Sequence, residues 1–386
     1  MKNEITKRIL FAGLWWQHDL MRGIARHAAR HGWHLNLQML ASGQLPAHWS
    51  GDGIITTLDG DPAILRDFFR KITCPVVSLS LNYPDIPIPR IGIDNDAVAK
   101  AVSEHFLERG FRHFAYYHRV NSYTCTLRLA AFKHLMRKHG CKVTNLSAEK
   151  NETVKREDWA ERQTWLQKRL ARLPKPLAVF AHDDGSGIEV IEACQHAAIK
   201  VPEKVAVLGM LDIDLFRESA QIPLSSVTVD FDAYTERVCD LLAAMMAGHP
   251  APSKPILLPP SGVAVRTSSD VIAAHTQTGA EAIQFMQQHF AEPIQIMDVA
   301  LAVGMSHTKF YQAFKADLGH APNAVLTRIR INHAQRMLAE TQLTLEVIAE
   351  DCGFGDRVNL HRNFQRHLHT TPAAYRRVQT ATGILK

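Results

Sequence analysis

The sequence contains no apolar run long enough to cross a membrane. A spanning helix needs about 18 or more uncharged apolar residues, and the longest early apolar stretch, residues 9–16, is roughly half as long. No small-residue cleavage site follows that stretch, so we expect no secretory signal peptide. These absences predict a cytoplasmic protein without a membrane partner.

Cysteine is scarce and scattered. The six cysteines of this 386-residue chain form no C-x-x-C pair, which argues against zinc ribbons and disulfide frameworks alike. We therefore expect ordinary buried thiols. Three histidines near the C-terminus, His361, His367 and His369, have no cysteine or carboxylate at a useful offset, so we also expect no metal site.

The sequence motifs of several enzyme classes are missing too. Residues 51–53 and 185–187 read G-x-G but lack the third glycine of a dinucleotide fingerprint, and the chain has no G-x-x-x-x-G-K-[ST] phosphate loop. It also has no G-x-S-x-G nucleophile elbow. We expect neither a catalytic residue nor a cofactor.

The chain does have enough apolar residues, 46%, for two or three folded domains. Over roughly the first 230 residues, short apolar runs alternate with amphipathic helical stretches, which is typical of a parallel sheet covered on both faces. Strands are predicted at residues 8–12, 34–39, 53–57, 75–79, 113–117, 177–181 and 205–209. Helices are predicted at 22–29, 97–109 and 187–198. This part of the chain is predicted to be α/β.

Proline and glycine cluster between residues 248 and 262, where they interrupt regular elements. Beyond about residue 269 the strand pattern disappears and only helical periodicity remains. We predict a first domain over residues 1–268, a linker over 269–278 and an all-α domain over 279–386.

Residues 296–318 of the second domain have the pattern of a helix, a tight turn and a second helix. Gly304 can adopt the positive φ that such a turn requires, and Ser306 can cap the helix that follows. Phe310 and Phe314 recur four residues apart, with Leu318 next, and predict one buried face. The opposite face is the candidate DNA-reading surface, although an ordinary solvated face remains an alternative. Its residues are Thr308, Tyr311, Gln312 and Lys315.

Residues 343–368 repeat this arrangement, with Gly353 at the turn and Asp356 as the cap. Leu360, Phe364 and Leu368 form the predicted buried face. The predicted DNA-reading residues on the other face are Arg357, Asn359, His361 and Arg362. Arginine and asparagine can make paired hydrogen bonds to guanine and adenine in the major groove. From residue 357 to 377 there are five arginines and no acidic residue, and we expect Arg366, Arg376 and Arg377 to contact phosphate.

The second unit also carries I-A-x-x-C-G-F at residues 348–354 and T-P-x-x-Y-R at 371–376. On these motifs, residues 277–378 resemble the DNA-binding domains of the AraC/XylS family closely. The resemblance implies a double helix-turn-helix domain whose two recognition helices enter successive major-groove faces on one side of the duplex.

The first domain resembles the ligand-binding domains of the LacI/GalR regulators. The resemblance depends on residues 91–97, 105–115, 128–132, 181–184, 202–209 and 223–228. It implies a two-lobed, periplasmic-binding-protein-like sensor. The combination of the two domains resembles regulators of pentose operons, which implies a sugar effector, xylose or a relative, and activation of pentose-use genes. It further implies promoter DNA as partner, a homodimer and contact with RNA polymerase.

Candidate sugar ligands follow from the same resemblance. Arg128 matches a family arginine that donates to sugar hydroxyls, and Asp183 matches a family carboxylate. His182 lies where relatives often carry an amide, and Asp212 is displaced by one residue from the aspartate of relatives. Trp15 and Trp16 directly follow the first predicted strand, where one can stack on a sugar, with a core position as the alternative for each.

Three other functions are compatible with parts of the sequence. The chain could be a regulator of the same kind that senses a different sugar or polyol, or a DNA-binding protein that responds to no ligand. A periplasmic transport protein would share the α/β part, but it would have no use for the C-terminal helices. The sequence therefore favours a ligand-gated transcription regulator.

Overall fold

A computed structural model describes residues 6–14, 17–147, 158–368 and 370–381. The chain divides into two compact units. The first takes in Met1–Phe106 and His113–Ser269, and the second takes in Leu107–Arg112 and Asp270–Lys386. No helix in the described part of the chain is long and apolar enough to span a bilayer.

The first unit alternates strands and helices along the chain. Its strands are β1 (Arg8–Ala12), β2 (His34–Asn36), β3 (Gly53–Thr56), β4 (Val76–Ser78), β5 (Ile91–Ile93), β6 (His113–His118), β7 (Val143–Ser147), β8 (Leu177–Ala181), β9 (Val205–Met210), β10 (Ser225–Thr228), β11 (Ile256–Leu258) and β12 (Gly262–Ala264). Its helices are α1 (His18–Arg30), α2 (Gln38–Ser42), α3 (Pro62–Lys71), α4 (Asn95–Leu107), α5 (Tyr123–Lys138), α6 (Trp159–Arg172), α7 (Asp184–His196), α8 (Asp214–Ser219) and α9 (Phe231–Met246).

The first lobe is built on a parallel four-stranded sheet in the order β2-β1-β3-β4. Strand β1 shows why this sheet is covered on both faces. Ile9 and Phe11 pack into one core with α1 and α9, whereas Leu10 and Ala12 pack into another with α3. Successive side chains of a strand point to opposite faces, so an uninterrupted apolar strand requires two covering layers.

The second lobe contains a six-stranded sheet in the order β12-β10-β9-β8-β6-β7, parallel except for β12. Although α9 follows β10 of this sheet, its side chains Phe231, Tyr234 and Val238 lie in the core of the first lobe. The short parallel pair β5 and β11 forms a third, two-stranded sheet. The predicted α/β two-lobed fold is confirmed.

All seven predicted strands are present, but β2, β3 and β4 are shorter than expected, β2 most of all. Strand β2 ends at Asn36, and the apolar residues that follow form α2, where Met39 is buried. A short apolar run does not distinguish a strand from a helical turn by periodicity. The sequence analysis missed five further strands of three to five residues each: β5, β7, β10, β11 and β12.

The second unit is helical in its described part beyond residue 269. Its helices are α10 (Gln277–Gln288), α11 (Ile296–Ala302), α12 (His307–Leu318), α13 (Pro322–Glu340), α14 (Leu345–Asp351), α15 (Arg357–Leu368) and α16 (Pro372–Ala381). Helices α11 and α12 form the first helix-turn-helix, and α14 and α15 form the second. The predicted all-α double helix-turn-helix domain is confirmed.

Helix α13 holds the two helix-turn-helix units together. Its N-terminal half packs Val325 and Ile329 into the core around Phe310 and Phe314. Its C-terminal half packs Ile331, Ala334 and Leu338 into the core around Leu360 and Phe364. One helix therefore belongs to both cores, and this fixes the separation of α12 and α15 within this unit.

The two turn glycines adopt the left-handed conformation, with φ of 68° at Gly304 and 70° at Gly353. Their surroundings differ. A β-carbon on Gly304 would meet nothing within 4 Å, but one on Gly353 would lie 2.3 Å from the carbonyl oxygen of Phe290. The second turn thus requires glycine for its packing as well as for its backbone conformation.

Candidate functional site

A cavity of about 970 Å³ lies between the two lobes of the first unit. Loops after β1, β3 and β4 line it from the first lobe, and loops after β6, β8 and β9 line it from the second. Ligands of open α/β sheets bind at these carboxyl ends of the strands. Its polar lining includes Gln17, Thr57, Asp59, Ser80, Asn82, Arg119, Ser122, Thr124, Arg128, His182 and Asp183.

Arg128 lies at the edge of this cavity and is nearly fully buried. Its Nε donates to Oδ1 of Asn95 at 3.0 Å, and its Nη1 donates to the carbonyl oxygen of His182 at 2.6 Å. Its Nη2 makes no hydrogen bond to any described residue, which leaves that donor for a ligand. Burial lowers the pKa of Arg128, but an arginine remains charged at any physiological pH.

His182 is also a cavity residue, and its environment sets its protonation. Burial and the nearby Arg128 charge lower the pKa of His182 to about 3, so the imidazole is neutral. Burial raises the pKa of Tyr116 well above its usual value, so its hydroxyl is protonated and donates to Nδ1 of His182 at 2.7 Å. We therefore assign the proton of His182 to Nε2.

Asp183 combines a structural role with a place in the cavity. It caps α7 by accepting from the backbone NH of Ser186 at 2.6 Å, and Nη2 of Arg119 lies 3.4 Å away. Burial opposes ionisation, but the charge of Arg119 and the Ser186 NH hold the pKa of Asp183 below its usual value. The cavity therefore carries an ionised acceptor beside the donors of Arg119 and Arg128.

Asp212 does not line the cavity. Arg266 binds its carboxylate through two nitrogens, at 2.6 and 3.0 Å. Leu211 lines the cavity instead. The backbone is strained here, because Leu211 and Asp212 have φ of 96° and 56°.

Asp184 holds this strained segment in place. It is 2% exposed, accepts from the NH of Ile213 at 2.7 Å and accepts from Oγ of Ser226 at 2.6 Å. Burial raises the pKa of Asp184 to about 7, with Asp212 and Asp183 adding to the shift. Ile213 lines the cavity, so this buried carboxyl fixes part of the cavity wall from behind.

The structure brings Arg128, His182 and Asp183 together as predicted candidates, whereas Trp15 and Trp16 lie outside the described residues. The sequence analysis missed Arg119 and Asp184. Both had a usable signal: Arg119 follows a predicted strand, and Asp184 is adjacent to Asp183.

In the first helix-turn-helix, α12 buries Phe310, Phe314 and Leu318 as expected. Thr308, Gln312 and Lys315 are exposed on the other side, and Tyr311 is half-buried. Ser306 is the residue before the first turn of α12, but its side chain makes no capping hydrogen bond.

In the second helix-turn-helix, α15 presents a basic surface. Arg357, Val358, His361, Arg362, Gln365 and Arg366 line one shallow concavity. Asp356 accepts from the NH of Asn359 at 2.7 Å, as predicted for a cap. Arg357 forms an exposed ion pair with Glu346 at 3.2 Å, which contributes little to stability.

Two of the side chains predicted to contact DNA form hydrogen bonds within the protein instead. The amide of Asn359 donates to Oδ2 of Asp356 at 2.9 Å and is half-buried, so it supports the cap instead of projecting outward. Arg376 donates to the carbonyl oxygen of Leu343 at 2.6 Å. His369 lies outside the described residues.

Comparison with known families identifies both units. Residues 103–269 match the periplasmic binding protein-like domain, and residues 299–378 match a helix-turn-helix domain. The two matches follow each other along the chain in the order that the fold shows.

Similar proteins share both parts. The xylose operon regulatory protein of Escherichia coli strain K12 is 27% identical over 341 residues, which cover 86% of this chain and 85% of that protein. The xylose operon regulatory protein of Haemophilus influenzae is 25% identical over 332 residues, 84% of each chain. The structure of the xylose-binding transcription activator xylR has a TM-score of 0.64 at 24% identity and covers 97% of this chain and 99% of that one. The chain is therefore a DNA-binding transcription regulator that joins a periplasmic binding protein-like domain to a helix-turn-helix domain, and it is similar over most of its length to xylose operon regulatory proteins.

Proposed function

We propose that this regulator binds a neutral sugar, xylose or a close relative, in the cavity between the lobes of its first unit. The observation that carries the proposal is the set of oriented groups at the cavity: Nη2 of Arg128 and Nε2–H of His182 as donors, and Asp183 as acceptor. Sugar hydroxyls both donate and accept, so they suit such a mixed set. The similarity to xylose operon regulatory proteins favours a pentose.

The charges of the cavity support a neutral ligand. Five carboxylate side chains line it, those of Asp19, Asp59, Asp183, Asp214 and Glu218. The lining contains two arginines, and each already has a protein partner: Arg119 lies beside Asp183, and Arg128 bonds to Asn95 and His182. A phosphorylated sugar would meet a surplus of negative charge and be repelled.

We further propose that α12 and α15 read promoter DNA in successive stretches of the major groove. Exposed side chains of suitable chemistry support this, namely Thr308, Gln312 and Lys315 on α12 and His361 and Arg362 on α15, together with the half-buried Tyr311 on α12. Arg357, which is exposed on α15, is a further base-reading candidate, and Arg366 would contact phosphate. Asn359 supports the capping residue Asp356 at the start of α15 and so contributes to the position of this helix.

Sugar binding would close the two lobes of the first unit, and the closed form would present the DNA-reading helices of a homodimer to paired half-sites. The similarity to xylose operon regulatory proteins favours activation of pentose-use genes, for which we propose contact with RNA polymerase at the promoter in the cytoplasm. Two alternatives are outcomes of the tests below: a different sugar or polyol as effector, and a DNA-binding protein without an effector.

The effector is tested by thermal unfolding of the full chain with xylose, other pentoses, hexoses, polyols and xylose 5-phosphate. Because a ligand that binds only the folded state stabilises it, xylose at about 100 times its dissociation constant should add about 2.7 kcal/mol of stability. We expect no stabilisation by xylose 5-phosphate. If another sugar raises the stability and xylose does not, that sugar replaces xylose as the proposed effector. If no compound raises the stability, the result favours a DNA-binding protein without an effector.

The DNA proposal is tested by comparing Arg362→Ala with Lys315→Ala on the cognate promoter and on a scrambled duplex. If Arg362 contacts a base, its loss should weaken cognate binding by about 1 to 3 kcal/mol and leave scrambled binding almost unchanged. If Lys315 mainly attracts the phosphate backbone regardless of sequence, its loss should weaken both complexes equally. Equal losses on the two duplexes for Arg362→Ala would contradict base reading by α15.

A further inference from the structure

An apolar side chain stands in the middle of the basic surface of α15. Val358 is 63% exposed and occupies the second position of the helix. His361 and Arg362, three and four positions later, lie beside it on the same face. A single exposed valine is ordinary on a protein surface, so its position among DNA-facing residues is what requires an explanation.

The repeat of the two helix-turn-helix units shows which position Val358 holds. The buried residues Phe310 and Phe314 of α12 correspond to Leu360 and Phe364 of α15, fifty residues later in each case. The turn glycines Gly304 and Gly353 are only 49 residues apart, so the second unit has one extra residue between its turn and its helix.

Aligned on the buried residues, the candidate reading positions of the two helices correspond one to one. The α12 residues Thr308, Tyr311, Gln312 and Lys315 fall on Val358, His361, Arg362 and Gln365 of α15. All four of the latter line the same concavity. Val358 thus corresponds to Thr308, a residue of nearly the same shape, and occupies a candidate reading position. An alignment on the turn glycines does not pair these two residues, because the glycines are 49 and not 50 residues apart.

The chemistry of the surroundings identifies the group that Val358 contacts. The face of α15 around it carries Arg357, Arg362 and Arg366 and no acidic residue, which is complementary to duplex DNA. The apolar group on the base edges of the major groove is the C5 methyl of thymine. A β-branched side chain has one strongly preferred rotamer in a helix, so the methyl groups of valine are held in a fixed direction.

We propose that Val358 is a specificity-determining residue that reads the methyl group of one thymine in the half-site bound by α15. The inference rests on the proposed function of α15 as a DNA-reading helix. It adds a thymine beside the base that Arg362 contacts.

The test uses the full-length chain and a duplex that this chain enriches from a random DNA pool. Each thymine of the enriched motif is replaced in turn by deoxyuridine, which removes the methyl group and leaves base pairing intact. We expect one position at which the wild-type affinity falls about fourfold, the effect of one buried methyl group. Val358→Ala should lower affinity for the thymine duplex by a similar factor and should be insensitive to deoxyuridine at that position.

Thr308→Ala is the matched control, because it shortens the corresponding residue of the other helix. It should keep the full deoxyuridine effect at the Val358 position. The proposal is overturned if no thymine position is sensitive in the wild-type chain, or if Val358→Ala keeps the sensitivity. If Arg362→Ala still loses cognate binding selectively in that case, α15 remains a DNA-reading helix and only the role of Val358 is withdrawn. If Arg362→Ala weakens cognate and scrambled binding equally, both the reading role of α15 and the role of Val358 are rejected.

Discussion

Replacing Arg128 by alanine is expected to weaken xylose binding roughly ten- to hundredfold, the loss of one charged hydrogen bond of about 1.5 to 3 kcal/mol. The substitution removes the Nη2 donor, and it also removes the hydrogen bond that fixes the carbonyl of His182. The donor Nε2–H of His182 therefore loses its orientation as well. Isothermal titration calorimetry of the full chain measures the change.

Two controls separate ligand binding from folding for this variant. DNA affinity without sugar should be unchanged, and thermal unfolding shows whether the chain remains folded. Arg119→Ala is the comparison within the cavity: because Arg119 is half-exposed and interacts with Asp183 at 3.4 Å, its loss should weaken xylose binding less. If Arg128→Ala binds xylose as tightly as the parent, the assignment of Arg128 as a ligand is wrong.

The second large effect concerns Asp184, whose burial makes the stability of the first unit depend on pH. Its pKa is raised from 3.8 to about 7 in the folded protein. A carboxyl with a raised folded pKa binds more protons in the folded state, so stability falls as pH rises from about 4 to about 7. A shift of this size corresponds to a loss of about 4 kcal/mol, all of it present above pH 7.

Asp184→Asn should abolish this part of the pH dependence. The amide oxygen can still accept from the NH of Ile213, and the amide nitrogen replaces the oxygen that accepts from Oγ of Ser226, a hydroxyl that can also act as an acceptor. We expect the variant to match the parent near pH 4 and to exceed it in stability near pH 8. The measurement is denaturant unfolding across this range, followed by tryptophan fluorescence.

Asp214→Asn is the control for a carboxylate of the same region. Asp214 is half-exposed and pairs with Arg217 on its own helix, and because an exposed ion pair contributes little to stability, its replacement should change the free energy of unfolding by less than about 1 kcal/mol. A parent protein whose stability rises steadily from pH 4 to pH 7, with Asp184→Asn unchanged or less stable at pH 8, would show that Asp184 is ionised without cost.

Much of the DNA-binding unit follows from local sequence. Phe310 and Phe314, like Leu360 and Phe364, recur at the helical period and are buried in the structure. Gly304 and Gly353 sit at turns that need a positive φ. These features depend on neighbours within one or two turns of helix, and local periodicity records such neighbours directly.

The cavity depends on contacts between residues far apart in the chain. Arg128 meets Asn95 and His182 across 33 and 54 residues, and Asp212 meets Arg266 across 54. The resemblance to known sensors suggested Arg128 and Asp183, but it also suggested Asp212, whose carboxylate is held away from the cavity lining. A local sequence pattern does not indicate which of several carboxylates after a strand forms an ion pair within the protein, as Asp212 does with Arg266.

The sequence by itself determined the order of an α/β sensor and a double helix-turn-helix domain, because alternating and helical periodicity reflect which faces each segment must bury. Tertiary structure alone decided the neutral state and tautomer of His182 and the raised pKa of Asp184. Desolvation and hydrogen-bond partners set each of these, and both exist only once distant segments have packed together.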